Sequence, residues 1–198
     1  MHRPLVRYYV ATSVDGFIAP LDGSVGWFDE AREGQGPTGQ TDDGYTAFVK
    51  GIGGLILGRE TFETELGFGP WSYETIPAVV MTNRDLAMTP KNVQVARGDP
   101  SPPLEALKAR VQHGDIWLLG GGVLAGQLLE AGLIDRVEIT VLPISLGQGR
   151  PLFGKAGRRH VFDRIETRAN GGSTTMVLMP KADALRPVQS TLGTSQTP

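Results

Sequence analysis

Three short stretches of this 198-residue chain carry residue types that could hold an anion: Gly58-Arg59-Glu60-Thr61, Thr82-Asn83-Arg84 and Gly120-Gly121-Gly122. In the third, Ile116–Gly120 reads as a short buried strand, and Val123, Leu124, Leu128 and Leu129 then recur at helical spacing. A strand that feeds a helix through glycines leaves the first-turn N–H groups bare. Those groups and the helix dipole favour an anion, most often a phosphate. Glycine also permits backbone geometries that a side chain would forbid. The first stretch adds a guanidinium and a hydroxyl to the same strand-to-helix pattern, and the second places Thr, Asn and Arg after Ala78–Thr82. Each alone also reads as a tight turn with no ligand. Together they suit a ligand with more than one phosphate, as a nucleotide has.

Composition excludes several other chemistries. The chain has no cysteine, which rules out disulfides, thiolate catalysis and cysteine-ligated zinc. His2, His113 and His160 lie far apart, so no metal site is expected. A formal charge of −2 gives no broad basic surface for nucleic acid or anionic lipid. Hydrophobic residues make up 40% and charged residues 20%, a globular composition. The length suits one substantial core rather than two domains. No apolar run approaches the ~18 residues of a membrane span, and Met1-His-Arg-Pro lacks the apolar region of a signal peptide. A soluble, cytoplasmic protein is the expectation.

The elements that must position the three stretches follow from pattern. Leu5–Ala11 reads as the first strand, and Asp15-Gly16 as a turn before a brief apolar segment ending at Ala19. The next thirty residues read as a long loop in which Trp27-Phe28 is either a hydrophobic anchor or part of a substrate slot. Tyr45–Lys50 is a helix with Asp42 or Asp43 as N-cap. Gly54–Leu57, Ala78–Thr82 and, more weakly, Val93–Ala96 are strands, and Pro103–Gln112 is an amphipathic helix. Arg136–Leu142 is a further strand and Pro143–Phe153 a loop. Val161–Arg168 and Ser173–Met179 close a hairpin over Asn170-Gly171-Gly172. The pattern predicts a three-layer α/β/α domain over residues 1–180, with a mostly parallel central sheet and an antiparallel C-terminal strand pair. Residues 181–198 read as a flexible tail. In such a sheet ligands bind beyond the carboxyl ends of the strands, where all three polar stretches fall.

The residues also carry a family resemblance. Gly58-Arg59-Glu60-Thr61-Phe62-Glu63 resembles the Gly-Arg-x-Thr-[Trp/Phe/Tyr]-Glu signature of dihydrofolate reductases, and Gly120–Leu124 resembles their glycine turn before a helix. Thr12–Ala19 and Gly120–Phe153 look like the reductase domain of riboflavin biosynthesis. Residues 5–180 are thus similar to stand-alone members of the dihydrofolate reductase-like superfamily. The resemblance implies that fold, with NADPH as hydride donor. It implies that Arg59 and Thr61, in the turn opened by Gly58, contact cofactor phosphates. Thr82, Asn83 and Arg84 would surround the adenosine 2′-phosphate, which suits a guanidinium fork. Gly120, Gly121, Gly122, Val123 and Leu124 would cover the pyrophosphate, with a cis peptide between two of the glycines. Ala11 and Ile18 would lie by the nicotinamide, and Asp15, Trp27, Tyr45 and Phe48 would border the substrate. Asp15 is the catalytic candidate, orienting the substrate or a water; it also reads as a turn residue bonding its own backbone. Phe48 also reads as core.

The chain departs from both relatives at the substrate end. Folate reductases place a carboxylate near the start of the first helix; the matching place here is around Gly44, with Asp42 and Asp43 adjacent. Riboflavin-pathway reductases carry an arginine-containing helix and an Asp-x-Pro element for the ribose phosphate, where this chain has Thr46–Lys50 and Glu63–Pro70. The expected function is therefore NADPH-dependent hydride transfer to a small pterin- or pyrimidinone-like heterocycle. Reduction of 5-amino-6-(5-phosphoribosylamino)uracil, reduction of dihydrofolate, and a non-catalytic nucleotide-binding module are the alternatives. The resemblance implies a homodimer through the C-terminal strands, with no nucleic-acid or membrane partner.

Overall fold

Alternating apolar side chains in a few short strands build two cores, one on each face of a sheet. The computed structural model describes residues 3–33, 44–154, 156–170 and 172–181. Its first half runs β1 (Val6–Thr12), β2 (Phe17–Ala19), α1 (Trp27–Glu33), α2 (Tyr45–Lys50), β3 (Ile52–Gly58), α3 (Arg59–Gly67), β4 (Ala78–Met81) and β5 (Val93–Ala96). The second half runs α4 (Ser101–Arg110), β6 (Asp115–Leu118), α5 (Gly122–Glu130), β7 (Arg136–Val141), β8 (Arg150–Pro151), β9 (Phe162–Asn170) and β10 (Ser173–Pro180).

Among the described residues the main sheet has eight strands in the order β5-β4-β3-β6-β1-β7-β10-β9. The first six are parallel to one another, and β10 runs antiparallel to β7 and β9. This is the expected mostly parallel sheet closed by an antiparallel pair. Each central strand sends alternate residues to opposite faces. Val6, Ile56, Val79, Ile116 and Leu118 pack with Leu104 and Leu107 of α4 and Leu124 and Leu128 of α5. Leu55, Leu57, Val80 and Trp117 pack on the other face with Phe48 of α2 and Phe62 of α3. Burial on both faces is what a parallel sheet under helices requires.

The structure differs from the sequence expectations in five places. The long loop after β2 contains α1, where Trp27 and Ala31 pack four residues apart against Leu142. Asp42 and Asp43 lie outside the described residues, and α2 is capped by Gly44 at φ 83° without a side-chain hydrogen bond. The α4 helix starts at Ser101, two residues before Pro103, because prolines 102 and 103 both fit a first turn whose N–H groups need no partner. The 143–153 loop contains β8, which pairs with β2 as a separate two-stranded ribbon. No cis peptide bond occurs among the described residues; Gly120 and Gly121 turn the chain with φ of 66° and 84°. No described helix is long and apolar enough to cross a membrane.

Candidate active site

Parallel strands end at one edge, and the order β4-β3-β6 sets the three polar stretches side by side there. Thr82-Asn83-Arg84 follows β4, Gly58–Thr61 leads from β3 into α3, and Gly120–Gly122 leads from β6 into α5. The last two touch: a Cβ on Gly120 would stand 3.1 Å from Thr61 Oγ1, and one on Gly121 would stand 3.8 Å from the Gly58 nitrogen. The first hydrogen bond into α5 runs from the Ala125 N–H to the Gly121 carbonyl at 2.9 Å. The N–H groups of residues 122–124 are thereby left to whatever fills the space before the helix. Gly122 is required by packing, since a Cβ there would overlap the Pro151 carbonyl oxygen.

A cavity of about 1410 Å³ opens over this edge. Gly58, Arg59 and Thr61 line it, as do Gly120, Gly121, Gly122, Val123 and Leu124. Ala11 of β1 and Ile18 of β2 line it too, beyond the glycine turn. Positive-φ glycines, uncommitted N–H groups and a hydroxyl at a helix start form a cradle that fits a dinucleotide's phosphates. Arg59 is held by Glu63 one helical turn on, with Nε 2.7 Å from Oε1. Thr82, Asn83 and Arg84 stand just outside the cavity wall. The Arg84 N–H donates to Thr82 Oγ1 at 3.0 Å, which tightens the turn, and the Arg84 side chain is in no ion pair among the described residues.

The other end of the cavity is aromatic. Tyr9, Tyr45 and Trp117 line it, with Phe28 and Phe68 farther round. Trp117 meets Tyr45 edge-on at 6.1 Å between ring centres, and its Nε1 donates to the Tyr9 carbonyl at 3.1 Å. Phe48 does not reach the cavity; it is buried, stacked on Tyr9 at 4.2 Å, with the Arg7 guanidinium 4.6 Å over its ring. Trp27 also lies behind the wall, buried and stacked on Phe28 at 4.2 Å. The anchor reading thus describes Trp27, and the cavity reading describes Phe28.

Asp15 falls outside the cavity lining. Its carboxylate accepts hydrogen bonds from Ser13 Oγ, from Ser145 Oγ at 2.8 Å, and from the Leu146 and Gly147 N–H groups at 3.1 and 2.7 Å. The Ser13 bond foremost, then those from residues 145–147, holds its pKa far below the usual carboxylate value. A carboxylate so committed clamps two loops together and is a poor proton carrier.

Several cavity residues are invisible to pattern reading. Glu65 lines the wall from α3, half-buried, and burial raises its carboxyl above the ordinary value. Tyr9 and Trp117 alternate in strands exactly as core residues do and give no separate signal. Arg150 comes from the 143–153 loop and pairs with Glu60 across the mouth. Among the described residues there is no cluster of three or more potential metal ligands.

Comparison with known proteins agrees with this geometry. Over 157 residues the chain is 34% identical to the uncharacterized protein YwjB of Bacillus subtilis (strain 168), spanning 77% of this chain and 84% of that one. It is 31% identical over 153 residues to the riboflavin biosynthesis protein RibD of Mycobacterium tuberculosis, spanning 73% of this chain but only 43% of RibD. A crystal structure of a Shewanella sp. PV-4 protein named for riboflavin biosynthesis superposes with a TM-score of 0.76 at 27% identity, covering 89% of this chain and 99% of that one. Residues 71–174, from behind α3 to the start of the last strand, match the RibD C-terminal domain, and the chain belongs to that family.

Proposed function

We propose that the protein is an NADPH-dependent reductase that delivers a hydride to a small, flat heterocycle. The observation that carries this reading is the contiguity of the turns after β3 and β6, which open into one cavity with an aromatic far wall, with the turn after β4 beside them just outside it. Membership of the RibD C-terminal domain family supports an oxidoreductase of the riboflavin-reductase kind. NADPH, when bound, supplies the hydride chemistry. The chain's residues do the rest. The N–H groups at the start of α5 and Thr61 would hold the pyrophosphate, and Arg84 would meet the 2′-phosphate as a bidentate guanidinium. Ala11 and Ile18 present small and apolar surface beside the glycine turn and admit a flat ring there. Tyr9, Tyr45 and Trp117 provide faces and edges against which a second ring can lie. Orientation of the two rings accounts for most of what such a site contributes to catalysis.

Fluorescence titration with NADPH and NADH tests the reading. NADPH is expected to bind in the micromolar range and more tightly than NADH. Arg84→Ala should weaken NADPH about tenfold, as loss of one charge-assisted contact does, and barely affect NADH. Equal weakening of both cofactors, or no binding of either, would count against the proposal.

A further inference from the structure

Of the charged side chains lining the cavity, five are acidic and two are arginines. The two arginines in its wall are already paired, Arg59 with Glu63 and Arg150 with Glu60. Asp22 and Asp29 add two carboxylates, and no lysine or histidine lines the cavity among the described residues. Among the described residues, a substrate with its own phosphate would find no unpaired cation in this wall.

Glu65 remains. On α3, Thr61, Thr64 and Glu65 recur at i, i+3 and i+4 and line the cavity together with Arg59, Glu60, Glu63 and the C-cap Phe68, while Phe62 and Leu66 turn into the core. The Glu65 side chain makes no hydrogen bond or ion pair among the described residues, although every other glutamate on α3 is engaged by an arginine. The Tyr73 phenol is raised above its usual pKa by burial and then by the nearby Glu65 charge. Tyr73 also meets Trp117 edge-on at 6.2 Å. The carboxyl therefore stands at the rim of the aromatic wall. A half-buried carboxylate without a partner is costly, and an N–H donor arriving on a ring would relieve that cost.

We propose that Glu65 selects the substrate, which is a neutral or cationic nitrogen heterocycle that presents N–H donors to this carboxylate and carries no phosphate. Calling that ring a substrate rests on the reductase reading above; the selectivity itself does not. The ring lies against Tyr45 and Trp117, and its N–H edge points to Glu65. Paired Arg59 and Arg150 shape the mouth instead of recruiting an anion.

Three probes of one size decide the matter: benzamidine, benzamide and benzoate, with cationic, neutral and anionic heads on the same ring. Each is titrated into the full-length protein by tryptophan fluorescence, with and without NADPH. Benzamidine is expected to bind at least about tenfold more tightly than benzoate, the difference one charge-assisted pair makes. Glu65→Gln should bring benzamidine down to the level of benzamide, with the thermal midpoint unchanged or raised, since the unpartnered charge is gone. Benzoate binding as tightly as benzamidine to the unaltered protein overturns the inference, and so does undiminished selectivity in folded Glu65→Gln. If NADPH fails to bind, the reductase reading fails, and the benzamidine–benzoate comparison still decides the role of Glu65.

Discussion

Asp15 shows a residue with catalytic potential committed to holding two loops. Its four hydrogen-bond donors come from Ser13 and from residues 145–147, some 130 positions away in sequence. A local reading finds the turn at Asp15-Gly16 but has no means of finding the distant loop that the carboxylate captures. Because these bonds lower the pKa in the folded state, the unfolded chain binds the proton more readily. Stability from Asp15 is therefore fully present above the ordinary carboxylate value of 3.8 and is lost as pH falls below it. Asp15→Asn should lower the unfolding midpoint at pH 7, and the gap from the unaltered protein should narrow as pH falls from 5 towards 3. Urea unfolding of both proteins across that range reads this directly. A gap that stays constant down to pH 3 would show that the carboxylate's charge is not what holds the loops.

At the scale of elements, the strands were legible because parallel, doubly buried strands read as apolar runs. Gly54–Leu57, Ala78–Thr82 and Ile116–Gly120 fall within or one to two residues of β3, β4 and β6. The α1 helix was not legible, since seven residues with Trp27 and Ala31 as the buried pair give too little periodicity to stand out from a glycine-rich loop. The short β2–β8 ribbon is fixed by pairing across the chain, which no local window contains. Charge placement across strands was equally hidden. Arg7 of β1 reaches Glu138 of β7 with Nη2 at 2.6 Å and Asp115 at the head of β6 at 3.4 Å, joining the three strands that carry the glycine turn and the cavity floor. Glu138 is buried and also pairs with Arg136 at 3.4 Å, so its loss leaves Arg7 with Asp115 alone and removes Arg136's carboxylate in low dielectric. Glu138→Leu should destabilise the fold by about 3 kcal/mol, and Arg7→Met in the same chain should recover much of that, as apolar replacements of both partners do. Chemical denaturation of the single and double variants checks this. A double variant less stable than Glu138→Leu would mean that Arg7 stabilises chiefly through its ring contact with Phe48 and its bond to Asp115.

For the whole molecule, the order β4-β3-β6-β1-β7 gathers segments from Tyr9 to Gly154 around one space. The turns at the cavity edge were legible in the sequence because glycine, arginine and threonine at a strand-to-helix junction have a local physical meaning. The aromatic end of the cavity was not, because Tyr9, Trp117 and Glu65 come together there only through the packing of separate elements. A ligand spanning this space touches the ends of four neighbouring strands and two helices at once, so its binding free energy should appear in the unfolding of the entire domain. NADPH at a hundred times its dissociation constant should add about 2.7 kcal/mol to the stability, with about 1.4 kcal/mol more for each further tenfold increase. For a chain of this length, the first increment corresponds to a rise in thermal midpoint of about 5–10 °C. NADH at the same concentrations should raise it less, because the Thr82–Arg84 turn would have no 2′-phosphate to hold. A thermal midpoint that stays flat over a thousandfold range of NADPH would mean that the three turns do not form a dinucleotide site. One that rises while the unfolding transition splits in two would mean that the ligand stabilises only the β4-β3-β6 half of the sheet, leaving β7, β10 and β9 to melt on their own.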